Sequence, residues 1–542
     1  MSTTKTPPFG WTFDKPCEEM EWTPMHTASF EAVTSLSSDD GADLTIIGIS
    51  QSADASAKDE VTAANLFANN ATAQELDGKL GGGLSALIAD DPSFSGKAGT
   101  CSSVVQSMEG GKFQKYVLLG LGASDKGEMT IKTSDACKVG SAIAKSCKDI
   151  KGVQTCTVIL PSDPTVTSNL DTEHVVSTFY SDLYSDNRYR TGESKKFPAK
   201  DLKGVTIVMA DADNTAASSI QRGKAMAEGI YLSKDIVNAP HNVLNSLSLA
   251  NSAKRLADET ELTTTILDKD ACEARGMGSY LGVARGSETD PYFIHMVYTP
   301  KDGVVKRKLG VVGKGLLFDT GGYNIKTAMM ELMKFDCGGA AAVFGAAKAI
   351  AALAPPGIEV HFCVAACENM INAKAYVPSD ILVASNGKTI EVLNTDAEGR
   401  LTLADALVYA DQEVGCDKII ELSTLTGSCI IALGKKYAGV FSKDDDLANE
   451  LNSASDVTGD KTWRMPMPDE YNELLESKIA DLKNIGTRWG GSITAALFLQ
   501  NFVREGKPFA HIDIAGPVWD DGSGATGYGA KLVTAWATAQ GE

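Results

Sequence analysis

Histidine is scarce in this chain of 542 residues, which contains only six, at positions 26, 174, 241, 295, 361 and 511. No two of them form the HExxH pair with which one class of metalloproteases binds zinc. A zinc site of that kind is therefore excluded, and we interpret His511 as a structural residue.

Paired cysteines and long apolar runs are also missing. The eleven cysteines are scattered and include no CxxC pair, which is typical of reduced thiols in a reducing compartment. The sequence has no run of eighteen apolar residues, and its first residues contain no apolar core of a signal peptide. We therefore expect no membrane span and a cytoplasmic location. A plastid or another organelle is the alternative if a transit peptide has been removed.

Positive charge is in short supply as well. The chain has 50 Lys and Arg against 70 Asp and Glu, which gives a formal net charge of −20 at pH 7. Because nucleic-acid binding depends on clustered Lys and Arg, this excess of acid argues against a nucleic-acid partner.

The length of the chain exceeds that of one ordinary hydrophobic core and predicts two domains. In the first half, apolar stretches bounded by Gly, Pro or Asp predict strands at DLTIIGIS, KYVLLGLG, VQTCTVIL and GVTIVMA. Helical patterns at 135–149 and 175–184 lie between them and indicate an α/β unit. We predict a poorly ordered leader over 1–30, an N-terminal α/β domain over 31–212 and a C-terminal domain over 213–542.

The second half alternates strands and helices again. Its predicted strands are LTTTILD, YFIHMVYTP, KLGVVGKG, GIEVHFCVAAC, DKIIELSTL and FAHIDIAG, and helices are predicted over 338–353 and 401–410. The strands are nearly continuous apolar runs, which is typical of a sheet covered by helices on both faces. The predicted fold class is therefore α/β in both domains, with a mixed C-terminal sheet whose strand ends form the place to look for a ligand.

Charged side chains of both signs follow the predicted strands of this C-terminal domain. They occur in GKGLLFDTGGYNIK, in MKFDCGG and in NTDAEGR, and are Lys314, Asp319, Lys326, Asp336, Asp396, Glu398 and Arg400. Taken singly, a carboxylate before a helix is most often a first-turn residue that the helix dipole favours. The joint occurrence of four carboxylates with two lysines and an arginine indicates a site instead. We expect the three clusters to meet at one edge of the sheet.

Four carboxylates gathered in one place repel each other unless a cation cancels their charge. Oxygen-rich ligand sets suit Mg²⁺ or Mn²⁺, and carboxylates also bind Zn²⁺. The sequence therefore predicts a carboxylate-bridged site for two metal ions, which in enzymes polarises a carbonyl and delivers a metal-bound hydroxide.

The segment NTDAEGRL resembles the signature of the leucine aminopeptidase (cytosol aminopeptidase) family, and the plant-type members most of all. VGKGLLFDTGGYNIK and MKFDCGGAAAV are similar to its companion motif. The resemblance continues through LSTLTGSCIIALG, KIADLKNIGTRWGGSITAALFL and HIDIAGP, so that it covers 230–535. It implies an N-terminal domain that resembles a macro domain and a C-terminal peptidase domain.

The resemblance also implies which residues bind the two ions, Zn²⁺ or Mn²⁺ with Mg²⁺ as a further candidate. The implied ligands are Lys314, Asp319, Asp336, Asp396 and Glu398, and Glu398 is expected to bridge. Two adjacent dications are expected to displace the proton of Lys314, because coordination and protonation compete for one lone pair.

Two cationic residues are the catalytic candidates that the resemblance implies. Lys326 stays charged and polarises the scissile carbonyl and its oxyanion. Arg400 binds a bicarbonate ion that acts as general base on the bridging water, because a guanidinium suits bidentate recognition of a carboxylate-like anion.

The implied reaction is the release of an N-terminal residue, leucine or another apolar residue, from a peptide with a free amino group. The side-chain pocket and its surroundings are expected to comprise Met333, Asn394, Thr424, Leu425, Gly427, Ala515 and Val518. For Met333 a place in the core remains an equal alternative. Family members also form homohexamers, so we expect one here.

Two alternatives to an enzyme stay open on the sequence alone. A non-catalytic oligomeric protein on the same scaffold, chaperone-like or DNA-binding, is the first, although the net charge disfavours DNA. ADP-ribose binding by the macro-like domain is the second, and it depends on the glycine-rich stretch GLGASDKG at 120–127.

Overall fold

A computed structural model describes residues 15–36, 41–51, 66–67, 70–91, 94, 96–109, 112–123, 133–161, 171–209, 212 and 214–541. The chain divides into two compact units, which we call the smaller unit (Pro24–Ala227) and the larger unit (Met1–Thr23 with Glu228–Glu542). The domain limits inferred from the sequence stay predictions. The predicted leader falls partly outside the described residues, and of its remainder 15–28 contain no helix or strand.

The smaller unit contains a six-stranded sheet. Its strands are β1 (Ser29–Val33), β2 (Leu44–Gln51), β3 (Val105–Glu109), β4 (Lys112–Ala123), β5 (Thr155–Ile159) and β6 (Gly204–Val208). They lie in the order β1-β6-β5-β2-β4-β3, and all neighbours are parallel except β3 and β4. The helices are α1 (Ala71–Lys79), α2 (Gly83–Asp90), α3 (Thr133–Asp149) and α4 (Thr172–Asp182). Helix α5 (Asn214–Asn238) contains the point of division between the two units.

The core of the smaller unit explains why its predicted strands and helices form. Leu44 and Ile46 of β2, Val158 of β5 and Ile207 of β6 are fully buried and belong to one hydrophobic cluster with helix residues such as Phe179. The α/β prediction is confirmed here, with strand ends shifted by a few residues. The glycine-rich stretch at 120–127 extends beyond the described residues after 123.

The larger unit is built on an eight-stranded mixed sheet. Its strands are β7 (Thr263–Leu267), β8 (Tyr292–Tyr298), β9 (Val305–Asp319), β10 (Gly357–Asn369), β13 (Lys418–Ser423), β14 (Ala438–Phe441), β15 (Thr462–Arg464) and β17 (Phe509–Asp513). They lie in the order β15-β14-β17-β13-β9-β10-β8-β7. The central strands β17, β13, β9 and β10 are parallel, whereas β14, β8 and β7 run antiparallel to their neighbours towards the centre.

Two small sheets and nine further helices complete the larger unit in its described part. The short strands are β11 (Ile381–Val383), β12 (Thr389–Glu391), β16 (Leu482–Lys483), β18 (Trp519–Asp520) and β19 (Gly524–Ala525). The helices are α6 (Ser246–Glu259), α7 (Lys269–Ala274), α8 (Gly278–Ala284), α9 (Gly338–Leu353), α10 (Gly399–Val408), α11 (Gly427–Leu433), α12 (Asp445–Thr458), α13 (Gly491–Gln500) and α14 (Ala530–Ala539). Short 3₁₀-helices occur at Met330–Phe335 and Asp469–Leu475, and one turn of π-helix occurs at Tyr409–Glu413.

Helix α9 packs directly on the centre of the large sheet. A Cβ on Gly339 would lie 2.0 Å from the carbonyl oxygen of Leu422 in β13 and 2.6 Å from the backbone nitrogen of Lys314 in β9, so only glycine fits this approach. With the preceding turn, Met330–Leu353 is long and apolar enough to cross a membrane by length and composition. Because 78% of that window is buried inside the protein, its apolar character is that of a core helix.

Candidate metal centre

Strand β9 supplies the first two charged residues of the site. Lys314 lies inside this strand opposite Ala365 of β10, and Asp319 is its last residue, opposite Asn369. Lys314 lies within the predicted strand KLGVVGKG, and the structure confirms that place. The predicted strand end at Gly315 is too early, because β9 pairs with β10 as far as Asp319.

The ammonium group of Lys314 lies among three buried carboxylates. Its Nζ is 2.8 and 2.9 Å from the two carboxylate oxygens of Asp336 and 3.0 Å from Oε1 of Glu398. Burial alone would lower the pKa of Lys314, but the charges of Asp336, Glu398 and Asp319 outweigh it and hold the pKa above its ordinary value. The lysine is thus held in the middle of the acidic cluster.

Gly399 makes room for this lysine. A Cβ at Gly399 would lie 2.4 Å from Cε and 2.7 Å from Nζ of Lys314, closer than any side chain can pack. Gly399 is also the first residue of α10, with Glu398 as its N-cap. This glycine therefore permits close packing of Lys314 against the start of the helix.

Asp319, Lys326 and Asp396 form a second group of charges. Lys326 Nζ lies 2.7 Å from Oδ2 of Asp319 and 2.6 Å from Oδ1 of Asp396. Asn369 donates a hydrogen bond of 2.7 Å to Oδ1 of Asp319 and another of 3.0 Å to the carbonyl of Thr395. Asp319 and Glu398 are buried, whereas the side chain of Asp396 is one-third exposed, so this group marks the open side of the cluster.

The loop that carries Asp396 and Glu398 follows β12. This strand belongs to a separate three-stranded sheet, β11-β12-β16, and not to the large sheet. The expectation that all three clusters meet at one sheet edge is therefore wrong in this respect: two sheets supply the site. Thr395 fastens the loop to the β9 side, because its Oγ1 donates to the carbonyl of Gly321 (2.7 Å) and its backbone N–H donates to Asn324 Oδ1 (2.8 Å).

Asn484 holds the same loop from the other side. Its Nδ2 donates to the carbonyls of Asn394 (2.7 Å) and Ala397 (3.3 Å), and its Oδ1 accepts from the backbone N–H groups of Leu393 (2.9 Å) and Asn394 (3.3 Å). Its own carbonyl accepts a 2.9 Å hydrogen bond from Arg400 Nη1. Sequence reasoning missed Asn484 and Asn369, because a buried amide that binds backbone has no spacing signature.

Burial shifts the pKa values of Glu398 and Arg400. Burial raises the pKa of Glu398 to about 8, with Asp319 and Asp336 adding to the effect and the two lysines opposing it. Burial lowers the pKa of Arg400 to about 10, although the charges of Glu398 and Asp513 raise it. Oε2 of Glu398 and Nε of Arg400 are both buried and make no hydrogen bond within the described part of the chain.

This arrangement fits divalent cations. Carboxylate oxygens of Asp319, Asp336 and Glu398 all lie within 4.8 Å of one another. Oε2 of Glu398 is a buried acceptor without a donor, which a cation would satisfy. Hard oxygen ligands with one amine are a donor set for Mg²⁺, Mn²⁺ or Zn²⁺.

Of the expected pocket residues, Thr424 contacts the carboxylate cluster directly. Thr424 Oγ1 donates to Asp336 Oδ1 (2.7 Å), and the methyl groups of Thr424 and Val518 both lie against Gly338, where a Cβ would be 3.0 and 2.5 Å away. Gly427 is exposed at the start of α11, Ala515 is buried, and Met333 and Leu425 are half-buried. Asn394 adjoins Asp396, whose backbone N–H it binds at 2.8 Å.

His511 lies inside the large sheet. Its Nδ1 is 2.5 Å from Glu421 Oε2, in register on the neighbouring strand, and both side chains are fully buried. Its ring contacts are with Glu421 and Phe441, and among the described residues it makes no hydrogen bond to the carboxylate cluster. The structure therefore leaves His511 a residue of the sheet core.

Fold and site together define a two-unit α/β protein with a buried lysine and carboxylate centre suited to metal ions. Comparison with known families gives two matches. The model for the catalytic domain of the cytosol aminopeptidase family matches residues 231–534, and the model for its N-terminal domain matches 61–193. The chain belongs to the cytosol aminopeptidase family, which is a family of hydrolases.

Individual relatives agree with this membership. Leucine aminopeptidase 2, chloroplastic, from Oryza sativa subsp. japonica is 47% identical over 479 residues, 86% of this chain and 77% of the relative. A probable cytosol aminopeptidase from Picosynechococcus sp. is 46% identical over 471 residues, 85% of this chain and 92% of the relative. The structure of a mutant tomato leucine aminopeptidase matches with a TM-score of 0.84 and 38% identity, covering 96% of this chain and 98% of that one. The two-domain α/β fold is thereby confirmed.

Proposed function

We propose that this chain is a metal-dependent aminopeptidase that removes the N-terminal residue of peptides, with leucine and similar apolar residues preferred. The observation that carries the proposal is the buried cluster in which Lys314 meets Asp336 and Glu398, with Asp319 and Lys326 beside it. The intact charge set favours an enzyme over the non-catalytic scaffold protein.

The residues that would hold two divalent ions are Lys314, Asp319, Asp336, Asp396 and Glu398, with Glu398 shared between them. Zn²⁺ and Mn²⁺ are the first candidates and Mg²⁺ the third. When bound, such ions polarise a peptide carbonyl and lower the pKa of water. The nitrogen of an acylated N-terminus has no lone pair available to a metal ion, whereas that of a free amino group has one, so the site would select peptides with an unblocked N-terminus.

Lys326 is the proposed electrophilic residue. The charges of Asp319, Glu398 and Asp336 outweigh the effect of burial and hold the pKa of Lys326 above its ordinary value, so its ammonium group stays charged at neutral pH. Its side chain is also partly exposed, at 18%. A fixed cation at the open side of the site stabilises the negative charge that develops on the carbonyl oxygen.

Arg400 is the proposed anchor for a bicarbonate ion that takes up a proton as general base. One Nη1 hydrogen bond to Asn484 fixes the guanidinium, while its buried Nε has no partner in the described residues. A pKa of about 10 keeps the group charged at neutral pH. A guanidinium held in this way offers the paired donors that a planar anion binds.

The proposed pocket for the first side chain is formed by Met333, Thr424, Leu425, Gly427, Ala515 and Val518, with Asn394 near the peptide backbone. Methyl groups of Thr424 and Val518 that meet over Gly338 give it an apolar lining. Apolar walls beside a charged centre favour leucine-like side chains.

A substrate pair and a variant pair test this function. Purified protein loaded with Mn²⁺ or Zn²⁺ should release leucine from leucinamide but not from N-acetyl-leucinamide. Lys326→Gln should lower kcat about 10²- to 10³-fold, the usual effect of losing one oxyanion donor. Lys435→Gln, which removes an exposed ion pair with Asp521, is the matched control and should leave kcat unchanged. Equal cleavage of blocked and free substrates would refute the proposal.

We also propose that the chain forms a homohexamer. A homohexamer would cover large apolar side chains that the single chain exposes in the larger unit, such as Ile431, Trp463 and Trp489. Sedimentation of the purified protein should give a mass six times that of one chain.

We propose the cytoplasm as the location of the protein, with a plastid as the alternative. Fluorescence of a full-length fusion in cells distinguishes the two.

A further inference from the structure

Two loops that carry the proposed pocket leave neighbouring strand ends. Strands β13 and β17 are parallel, and Ser423 at the end of β13 lies opposite Asp513 at the end of β17. One loop continues to Thr424 and the start of α11, and the other to Ala515 and Val518. A residue that hydrogen-bonds to both loops would fix the distance between them and so the width of the proposed pocket.

The carboxylate of Asp513 makes that connection. Its Oδ1 accepts hydrogen bonds from the backbone N–H of Leu425 (3.3 Å) in one loop and of Ala515 (3.2 Å) in the other. Its Oδ2 accepts from Thr426 Oγ1 at 2.7 Å. Thr426 is in turn the N-cap of α11, because its Oγ1 accepts from Cys429 N at 3.1 Å. One carboxylate thus fixes both loops and the first turn of a helix.

The position of Asp513 is unusual for a charged group. It is fully buried, and no salt bridge of the described residues includes it. A buried carboxylate is costly unless it is hydrogen-bonded, so its three donors are needed to hold it there. In the described part of the chain, all three of these donors belong to the two pocket loops.

The first loop is also fixed at Thr424, by the carboxylate cluster. Thr424 Oγ1 donates to Asp336 Oδ1, and the Thr424 carbonyl lies 3.4 Å from Lys314 Nζ. The segment from Thr424 to Thr426 is therefore fixed by hydrogen bonds to Asp336 at one end and to Asp513 at the other. Across it, Val518 of the second loop meets Thr424 over Gly338.

We propose that Asp513 is a positioning residue that sets the width of the side-chain pocket and so determines which N-terminal residue is preferred. It does not touch the substrate; it acts through Leu425, Thr426 and Ala515. This inference rests on the proposed function and adds a specificity determinant to it.

The test compares kcat and KM for leucinamide and alaninamide in the metal-loaded enzyme. Asp513→Ala should lower the preference for leucinamide over alaninamide about 10- to 100-fold, since a pocket that fits the longer side chain is worth that much selectivity. The preference should decrease because kcat/KM for leucinamide falls, while kcat/KM for alaninamide changes less. Asp513→Asn keeps an oxygen for the two N–H groups and should retain most of the preference.

Asp460→Ala is the matched control. Asp460 is another buried carboxylate of the larger unit that accepts backbone hydrogen bonds, from Gly529 and Leu532. This variant should lose stability without a change in the leucinamide preference. If Asp513→Ala does not fold, Thr426→Val, which removes one donor to Asp513, should lower the preference in the same direction, and Thr426→Ser should restore it.

An active wild type whose preference is unchanged in Asp513→Ala, or in Thr426→Val, would overturn the inference. So would an Asp513→Asn variant as unselective as Asp513→Ala, because the charge and not the hydrogen bonds would then matter. A wild type that releases no N-terminal residue refutes the proposed function itself.

Discussion

Single residues of three kinds make the charged centre possible. Lysines pair with its carboxylates, glycines leave room for them, and buried asparagines hold the backbone in place. Lys314 needs Gly399 beside it, and the loop of Asp396 needs Asn484 beneath it. Charge alone would drive such a cluster apart.

Asn484 is the residue whose loss should reveal this support most clearly. Asn484→Ala removes four hydrogen bonds to the loop at 393–397, and at about 1 kcal/mol each it should lower the free energy of unfolding by roughly 2–4 kcal/mol. Activity should fall too, because the loop that carries Asp396 and leads to Glu398 loses its fixed position, although the backbone carbonyl that binds Arg400 remains. Urea denaturation and steady-state kinetics measure the two effects.

Asn501→Ala is the control for this variant. Asn501 lies in the same unit and binds the carbonyl of Leu497 at 3.0 Å, away from the loop. It should reduce stability by less and leave activity intact. Equal losses of stability and activity in the two variants would contradict the claim that Asn484 supports the loop at 393–397.

Glu368 provides a prediction on pH. Burial raises the pKa of Glu368 to about 7, although Ser287 donates a hydrogen bond to it. The folded state therefore binds a proton that the unfolded state has already lost, and this stabilisation, complete below pH 4.5, is lost as the pH rises through 7.

Glu368→Gln should remove that dependence. Relative to wild type, its free energy of unfolding should rise between pH 4.5 and 8 by up to about 3 kcal/mol, from 1.36 kcal/mol per pKa unit. Denaturant titrations at several pH values measure the difference, and the exposed Glu505→Gln is the control. A constant difference across this range would show that Glu368 titrates normally.

At the scale of helices and strands, much of the arrangement could be predicted from the sequence. Continuous apolar runs identified six of the eight strands of the large sheet and missed the short strands β14 and β15 at one edge. Helix α9 begins and ends where its pattern predicts. The residues of the charged cluster could be named from a local signature. Their geometry could not: the length of β9 depends on its pairing with β10, and the separate sheet of β12 depends on β16, ninety residues away.

The contact between α10 and β9 is a further point at this scale. Gly399→Ala places a methyl group 2.4 Å from Lys314 Cε, so the helix start or the lysine has to move. We expect activity to fall about 5- to 150-fold, because overpacking of this kind costs about 1–3 kcal/mol and here it displaces Lys314. Kinetics and the bound-metal content of the purified protein measure the effect.

Gly78→Ala in helix α1 is the matched control. A Cβ there meets nothing within 4 Å, so the substitution should leave activity unchanged and stability equal or slightly higher. Full activity of Gly399→Ala would show that Lys314 does not depend on this close contact.

At the scale of the whole molecule, negative charge is the common feature. The net charge is −20, and Asp319, Asp336 and Glu398 bring three buried carboxylates within 4.8 Å of one another. Divalent ions bound there would stabilise the folded state, because the unfolded chain has no such site.

The central claim is that these acidic side chains and Lys314 hold two divalent ions. Anomalous diffraction from crystals grown with Mn²⁺ or Zn²⁺ tests it most directly. We expect two peaks per chain, within coordination distance of carboxylate oxygens of Asp319, Asp336, Asp396 and Glu398 and of Lys314 Nζ. Well-ordered crystals of active protein that show no peak among these side chains would contradict it.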